Sequence, residues 1–137
     1  MKRYSKLALV YAVIAMVGGV FYREFTKFSD FTGITTLSVV HTHYFLLGMV
    51  FFLLLLLLEK NFSFMNSKTD KVLVGYHVGL NLTGVMLLVR GVVQTLDQPL
   101  SGGLDAAISG VAGIGHIILG VSIILLLLQL HKAVRKS

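Results

Sequence analysis

Two histidines one residue apart, His41 and His43, head a segment that otherwise reads as hydrocarbon, ending in six consecutive leucines, Leu53 to Leu58. An imidazole at membrane depth is costly, so it marks a functional site by default. Neutral imidazole is also the commonest metal ligand among side chains. His77 and His116 lie in two further apolar segments, and His131 begins a basic tail. The plain alternative is that a membrane histidine only hydrogen-bonds to a neighbouring helix. With no cysteine in the chain, iron–sulfur clusters, thiolate zinc sites and covalent c-type haem attachment are excluded.

These histidines need elements to position them. Of 137 residues, 55% are hydrophobic and 13% charged, about half the charge share of a soluble domain. The apolar runs are too long and too unbroken for a water-facing fold, so lipid is the solvent. Four membrane-spanning helices are expected, at residues 7–25, 36–58, 72–94 and 105–130, forming a single all-α four-helix transmembrane domain over 1–137. The first segment lacks an Ala-x-Ala-like cleavage site and is read as a retained helix. Residues 26–35 form a first connection at the interface. The loop from Asn61 to Lys71 is polar and basic, and Asp97 to Gly103 is a turn holding the single proline.

The net charge of +6 sits at segment ends, which is a topology signal and not a nucleic-acid footprint. Lys2, Arg3, Lys6, Lys60, Lys68, Lys71, Lys132, Arg135 and Lys136 fall on one side; Arg23, Lys27 and Arg90 fall on the other. The positive-inside rule then puts both termini in the cytoplasm. The expected location is a cell membrane, most naturally the bacterial cytoplasmic membrane.

Topology gives each histidine a depth. At 1.5 Å per residue, His43 lies roughly 24 Å above the cytoplasmic end of helix two, and His116 roughly 22 Å above that of helix four. Both imidazoles therefore occupy one level in the outer half of the bilayer. His41 is roughly 200° around its helix from His43 and faces the other way. His77 is only about 9 Å above Lys71 and cannot share a metal with His116.

Small residues surround them. Ser109, Gly113, His116 and Gly120 share a face of helix four; Gly48 lies two turns below His41; His77, Asn81, Gly84 and Gly91 share a face of helix three. Such faces allow close helix packing, and beside an inward histidine they also form the notch a flat macrocycle needs. Arg90, at the outer end of helix three, either snorkels to the headgroups or pairs with haem propionates. Zinc would need four converging ligands; copper on three imidazoles is the metal alternative; haem iron accepts two imidazoles in an apolar slot.

Residues 41–48, His-Thr-His-Tyr-Phe-Leu-Leu-Gly, resemble the His-x-His helix of the haem–copper oxidase and nitric oxide reductase superfamily. There the two histidines face opposite ways and ligate two different haems. That motif also lies on the second helix of a four-helix arc, three of which make the superfamily's twelve-helix ring. The resemblance implies haems between protomers of a homo-oligomer, a trimer restoring twelve helices. The chain departs from the superfamily in lacking a Trp-x-x-Glu-His copper segment and an acidic proton channel, so it is not an oxidase on its own. As a whole it resembles a small, uncharacterised family of four-helix bacterial membrane proteins.

The expectation is a membrane b-type haem protein in electron transfer or O2 or NO redox chemistry. His43 and His116 would be the axial pair, and His41 would serve a second haem or a neighbouring protomer. His77 and Asn81 would form a lower site or a quinone contact. Arg90, Gly48, Gly113 and Gly120 complete the candidate haem surroundings. The contrasting expectation is a non-haem membrane subunit, an assembly or transport partner, or a copper-binding protein.

Overall fold

The computed structural model describes residues 2–136. Four helices are each long and apolar enough to cross a membrane: α1 (Lys2–Phe28), α2 (Leu37–Phe62), α3 (Ser67–Thr95) and α4 (Gly102–Val134). Each runs past the apolar segment expected from sequence. The reason is that helical hydrogen bonds continue beyond the hydrocarbon layer; the 33 residues of α4 rise about 50 Å, against a core of about 30 Å. Polar side chains then set the ends. Asn66 caps α3 by accepting from the Lys68 and Thr69 amides, while the Thr69 hydroxyl accepts from the Asn66 amide. Ser101 accepts from the Leu104 amide at the start of α4. Asp30, Ser63 and Asp97 take left-handed backbone angles just beyond the first three helices, the conformation that closes a helix end.

α1 packs along the whole of α2, and α3 packs along α4. The outer half of α2, residues 37–50, joins the pairs by packing on α3, whereas its second half, Phe51–Phe62, reaches α4. The outer halves of α2 and α4 are scarcely in contact. Three close backbone approaches fix this arrangement. A Cβ on Gly79 would lie 2.5 Å from the Leu119 amide nitrogen, one on Gly115 would lie 2.9 Å from that of Thr83, and one on Gly91 would lie 2.5 Å from that of Leu37. Without an apolar drive between helices in lipid, such contact is what holds them together.

The first connection is tied down and not loose. Thr35 donates to the Gly91 carbonyl and Thr36 to the Leu87 carbonyl, at 2.9 and 2.8 Å, and the Gln94 side chain accepts from the Thr36 amide. These bonds hold the start of α2, and so His41 and His43, against the end of α3.

α2 is not a uniform α-helix. Tyr44–Val50 is π-helical, beginning at the residue after His43. The Tyr76 hydroxyl, on a fully buried ring, donates to the Leu47 carbonyl. A side chain inserted at the backbone ladder is a recognised cause of such a departure, and π segments concentrate at functional sites.

Candidate functional site

His43 and His116 meet across the gap between α2 and α4. Their ring centroids are 6.3 Å apart and their planes are crossed at 89°. Each ring is oriented by its own helix in the same way: His43 Nδ1 lies 2.8 Å from the Val39 carbonyl, and His116 Nδ1 lies 2.8 Å from the Ala112 carbonyl. A carbonyl only accepts, so Nδ1 is the donor in each ring, and in the neutral imidazole that leaves Nε2 as the ring's acceptor. That is how a ligating imidazole is normally held.

The spacing can be tested against a metal. An imidazole nitrogen sits about 2 Å from a bound metal, so two rings trans to one another put their centroids about 6 Å apart. The observed 6.3 Å is of that order, and it is equally the spacing, about 4.5–7 Å, of an ordinary edge-to-face ring pair. Among the described residues no group of three or more His, Asp or Glu that could hold a metal ion gathers.

The glycines divide into two groups. A Cβ on Gly113 or Gly120, either side of His116, would meet nothing within 4 Å. Gly48 is the opposite case: its Cβ would fall 2.6 Å from the Tyr11 ring of α1, and Gly84 is covered in the same way by Tyr44. So Gly48 is a packing glycine whose notch Tyr11 already fills, and it offers no room to a macrocycle. The open glycine face belongs to α4.

Arg90 sits above this region and is held within the chain. Its guanidinium donates to the Asp105 carboxylate, the Asp105 carbonyl and the Ser109 hydroxyl. With its side chain 25% exposed, Arg90 clamps the tops of α3 and α4 together, and Ser109 lies two turns above His116 on the same helix.

His41 points away, as its rotation predicts. Its ring lies against Gly18 and Gly19 and stacks on Tyr22, centroids 6.5 Å apart, all on α1. Its Nδ1 is buried without a hydrogen-bond partner. The face expected to serve a second haem or a neighbouring protomer is therefore occupied by the chain's own first helix.

His77 is far from both and belongs to a second polar cluster. It stacks on Phe52 and Tyr11, at 5.0 and 5.7 Å, and its Nδ1 is 2.6 Å from the Tyr11 hydroxyl. Asn81 donates to that hydroxyl at 3.0 Å and to the His77 carbonyl at 2.8 Å, and accepts from Tyr44 at 3.5 Å. Tyr11 and Tyr44 are members of this cluster that sequence reasoning missed. A signal existed for the first: Tyr4, Ala8, Tyr11 and Ala15 recur at helical spacing and are the buried face of α1.

One comparison decides where the chain belongs. A family model described as "Protein of unknown function (DUF2871)" matches residues 1–133. The chain belongs to the DUF2871 family. The match spans all four helices, so the His43–His116 pair and the Tyr11–His77–Asn81 cluster both lie within the DUF2871 region. No curated protein and no solved structure matches the chain. The kinship expected with a small uncharacterised family thus holds, while no link to the haem–copper oxidases is found.

Proposed function

We propose that this protein is a b-type haem protein of the bacterial cytoplasmic membrane, with His43 and His116 as axial ligands in the outer half of the bilayer. The observation that carries the reading is the paired geometry of the two rings: metal-compatible spacing and both Nδ1 atoms committed to backbone carbonyls. The open faces of Gly113 and Gly120 beside His116 support it, as does the scarcity of contact between α2 and α4 at this level.

Haem held by His43 and His116 would supply a one-electron redox centre, and with both histidines bound to it would favour electron transfer over O2 or NO binding. The chain's own residues have defined tasks in this reading. The Val39 and Ala112 carbonyls orient the two rings. Arg90, joined to Asp105 and Ser109, ties α3 to the start of α4. A redox partner, a quinone among the candidates, follows from such a role. The likeness of His41-Thr-His43 to the oxidase motif fits the reading for His43 alone, since His41 packs on α1. A second copy of the chain against the exposed flank of α4 would cover the open side of His116.

A second reading is favoured by one observation. The Nδ1 bonds satisfy His43 and His116 within their own helices, as they would in a non-haem membrane subunit. Purification from haem-replete cells separates the two. The haem reading requires about one non-covalent haem b per chain by pyridine haemochrome assay. A folded, helical protein that purifies colourless removes it.

A further inference from the structure

The basic end of the bundle carries a groove between α1 and α2 that is unrelated to the histidines. Lys2, Ser5, Lys6 and Leu9 come from α1, and Leu56 and Lys60 from α2, around a cavity of about 540 Å³. The α1 residues are spaced i, i+3, i+4, i+7 and the α2 residues i, i+4, so each helix turns one face into the groove. Both faces run from charge to hydrocarbon in the same direction. Lys2 and Lys60 stand at the rim, Lys6 one turn in, and Leu9 and Leu56 deeper, at about 5.4 Å per helical turn.

The three ammonium groups have no carboxylate partner among the described residues. Neither nearby acid forms an ion pair with these lysines. Asp70 pairs with Arg3 at 3.1 Å, and a Glu59 carboxylate oxygen accepts from the Met65 amide at 2.9 Å. What the groove lacks is negative charge at the rim above an apolar floor. At ~30 Å³ per water-sized group, the cavity holds on the order of 18 heavy atoms, about a glycerophosphate head and the first methylenes of its chains.

We infer that this groove is a binding site for an anionic phospholipid, its phosphate held by Lys2, Lys6 and Lys60 and its acyl chains running over Leu9 and Leu56. Basic pockets between membrane helices on the cytoplasmic side recognise such headgroups. The site is independent of whether the outer histidines hold haem.

The test uses the full chain, purified in detergent, delipidated and mixed with equal phosphatidylglycerol and phosphatidylcholine, with retained lipid read by native mass spectrometry. The wild type retains phosphatidylglycerol selectively, and each of Lys2→Gln, Lys6→Gln and Lys60→Gln lowers that retention by up to about fivefold. A Lys132→Gln, Lys136→Gln pair, at residues lining a different pocket beside Phe62 and Asn66, leaves it unchanged. Equal retention of the two lipids overturns the inference, as do three single variants that all match the wild type. Loss in the tail variant equal to that in the groove variants also overturns it, because the preference is then a general property of the basic surface. Glycerol phosphate at millimolar concentration displaces no lipid; displacement would mark a free phosphate site instead.

Discussion

His43 and His116, 73 residues apart in sequence, face each other with ring centroids 6.3 Å apart and planes at 89°. Each is fixed by the carbonyl four residues before it. Two helices that are otherwise scarcely in contact at this level thus converge on a pair of imidazoles with Nε2 as the acceptor of each neutral ring. The predictions follow from what surrounds that pair and from what is separate from it.

The glycine face of α4 is open, so filling it should act on the haem and not on the fold. Gly113→Leu meets no protein atom at its Cβ. It should leave helicity and thermal stability in detergent near wild type while lowering the haem-to-protein ratio several-fold. Undiminished haem in this variant would show that no macrocycle lies against Gly113.

Gly79 and Gly110 lie on the same helix pair and should respond oppositely to alanine. At Gly79 a methyl group would sit 2.5 Å from the Leu119 backbone, so α3 and α4 must separate, at about 1–3 kcal/mol for overpacking. At Gly110 nothing lies within 4 Å, and alanine gains up to about 1 kcal/mol of helix propensity. Reversible unfolding in mixed micelles checks both, and a neutral Gly79→Ala would contradict the close approach.

The Tyr11 hydroxyl serves His77 and Asn81 together. Tyr11→Phe leaves the ring stack and removes those bonds, at about 1 kcal/mol for polar contacts between membrane helices. Because this cluster is separate from the outer pair, the visible spectrum should not change. A spectral shift in Tyr11→Phe would connect the two sites.

Much of this was legible in the sequence, and particular residues show why. Long apolar runs fixed four helices, since lipid demands that every backbone group be satisfied within its segment. The 1.5 Å rise brought His43 and His116 to one level, and helical rotation sent His41 away. The partners of the glycines were hidden, because a glycine face reads the same whether a tyrosine or a ligand fills it. Gly48 belongs to Tyr11, while Gly113 and Gly120 stay open. The π segment at Tyr44–Val50 was hidden too: it answers to Tyr76, from a different helix, in a stretch too uniformly apolar to show a change of period. Arg90 was placed at the right height, but its pairing with Asp105 and Ser109 depends on how α3 and α4 cross.

The central claim is that His43 and His116 share one haem iron, and the visible and electron paramagnetic resonance spectra of four proteins test it directly. The wild type should show a reduced b-type α band and a low-spin ferric signal. His43→Ala and His116→Ala should each lose the haem or convert it to a high-spin form with an open coordination position. A His77→Ala variant that alone abolishes the low-spin signal, or outer-histidine variants with wild-type spectra, would contradict it.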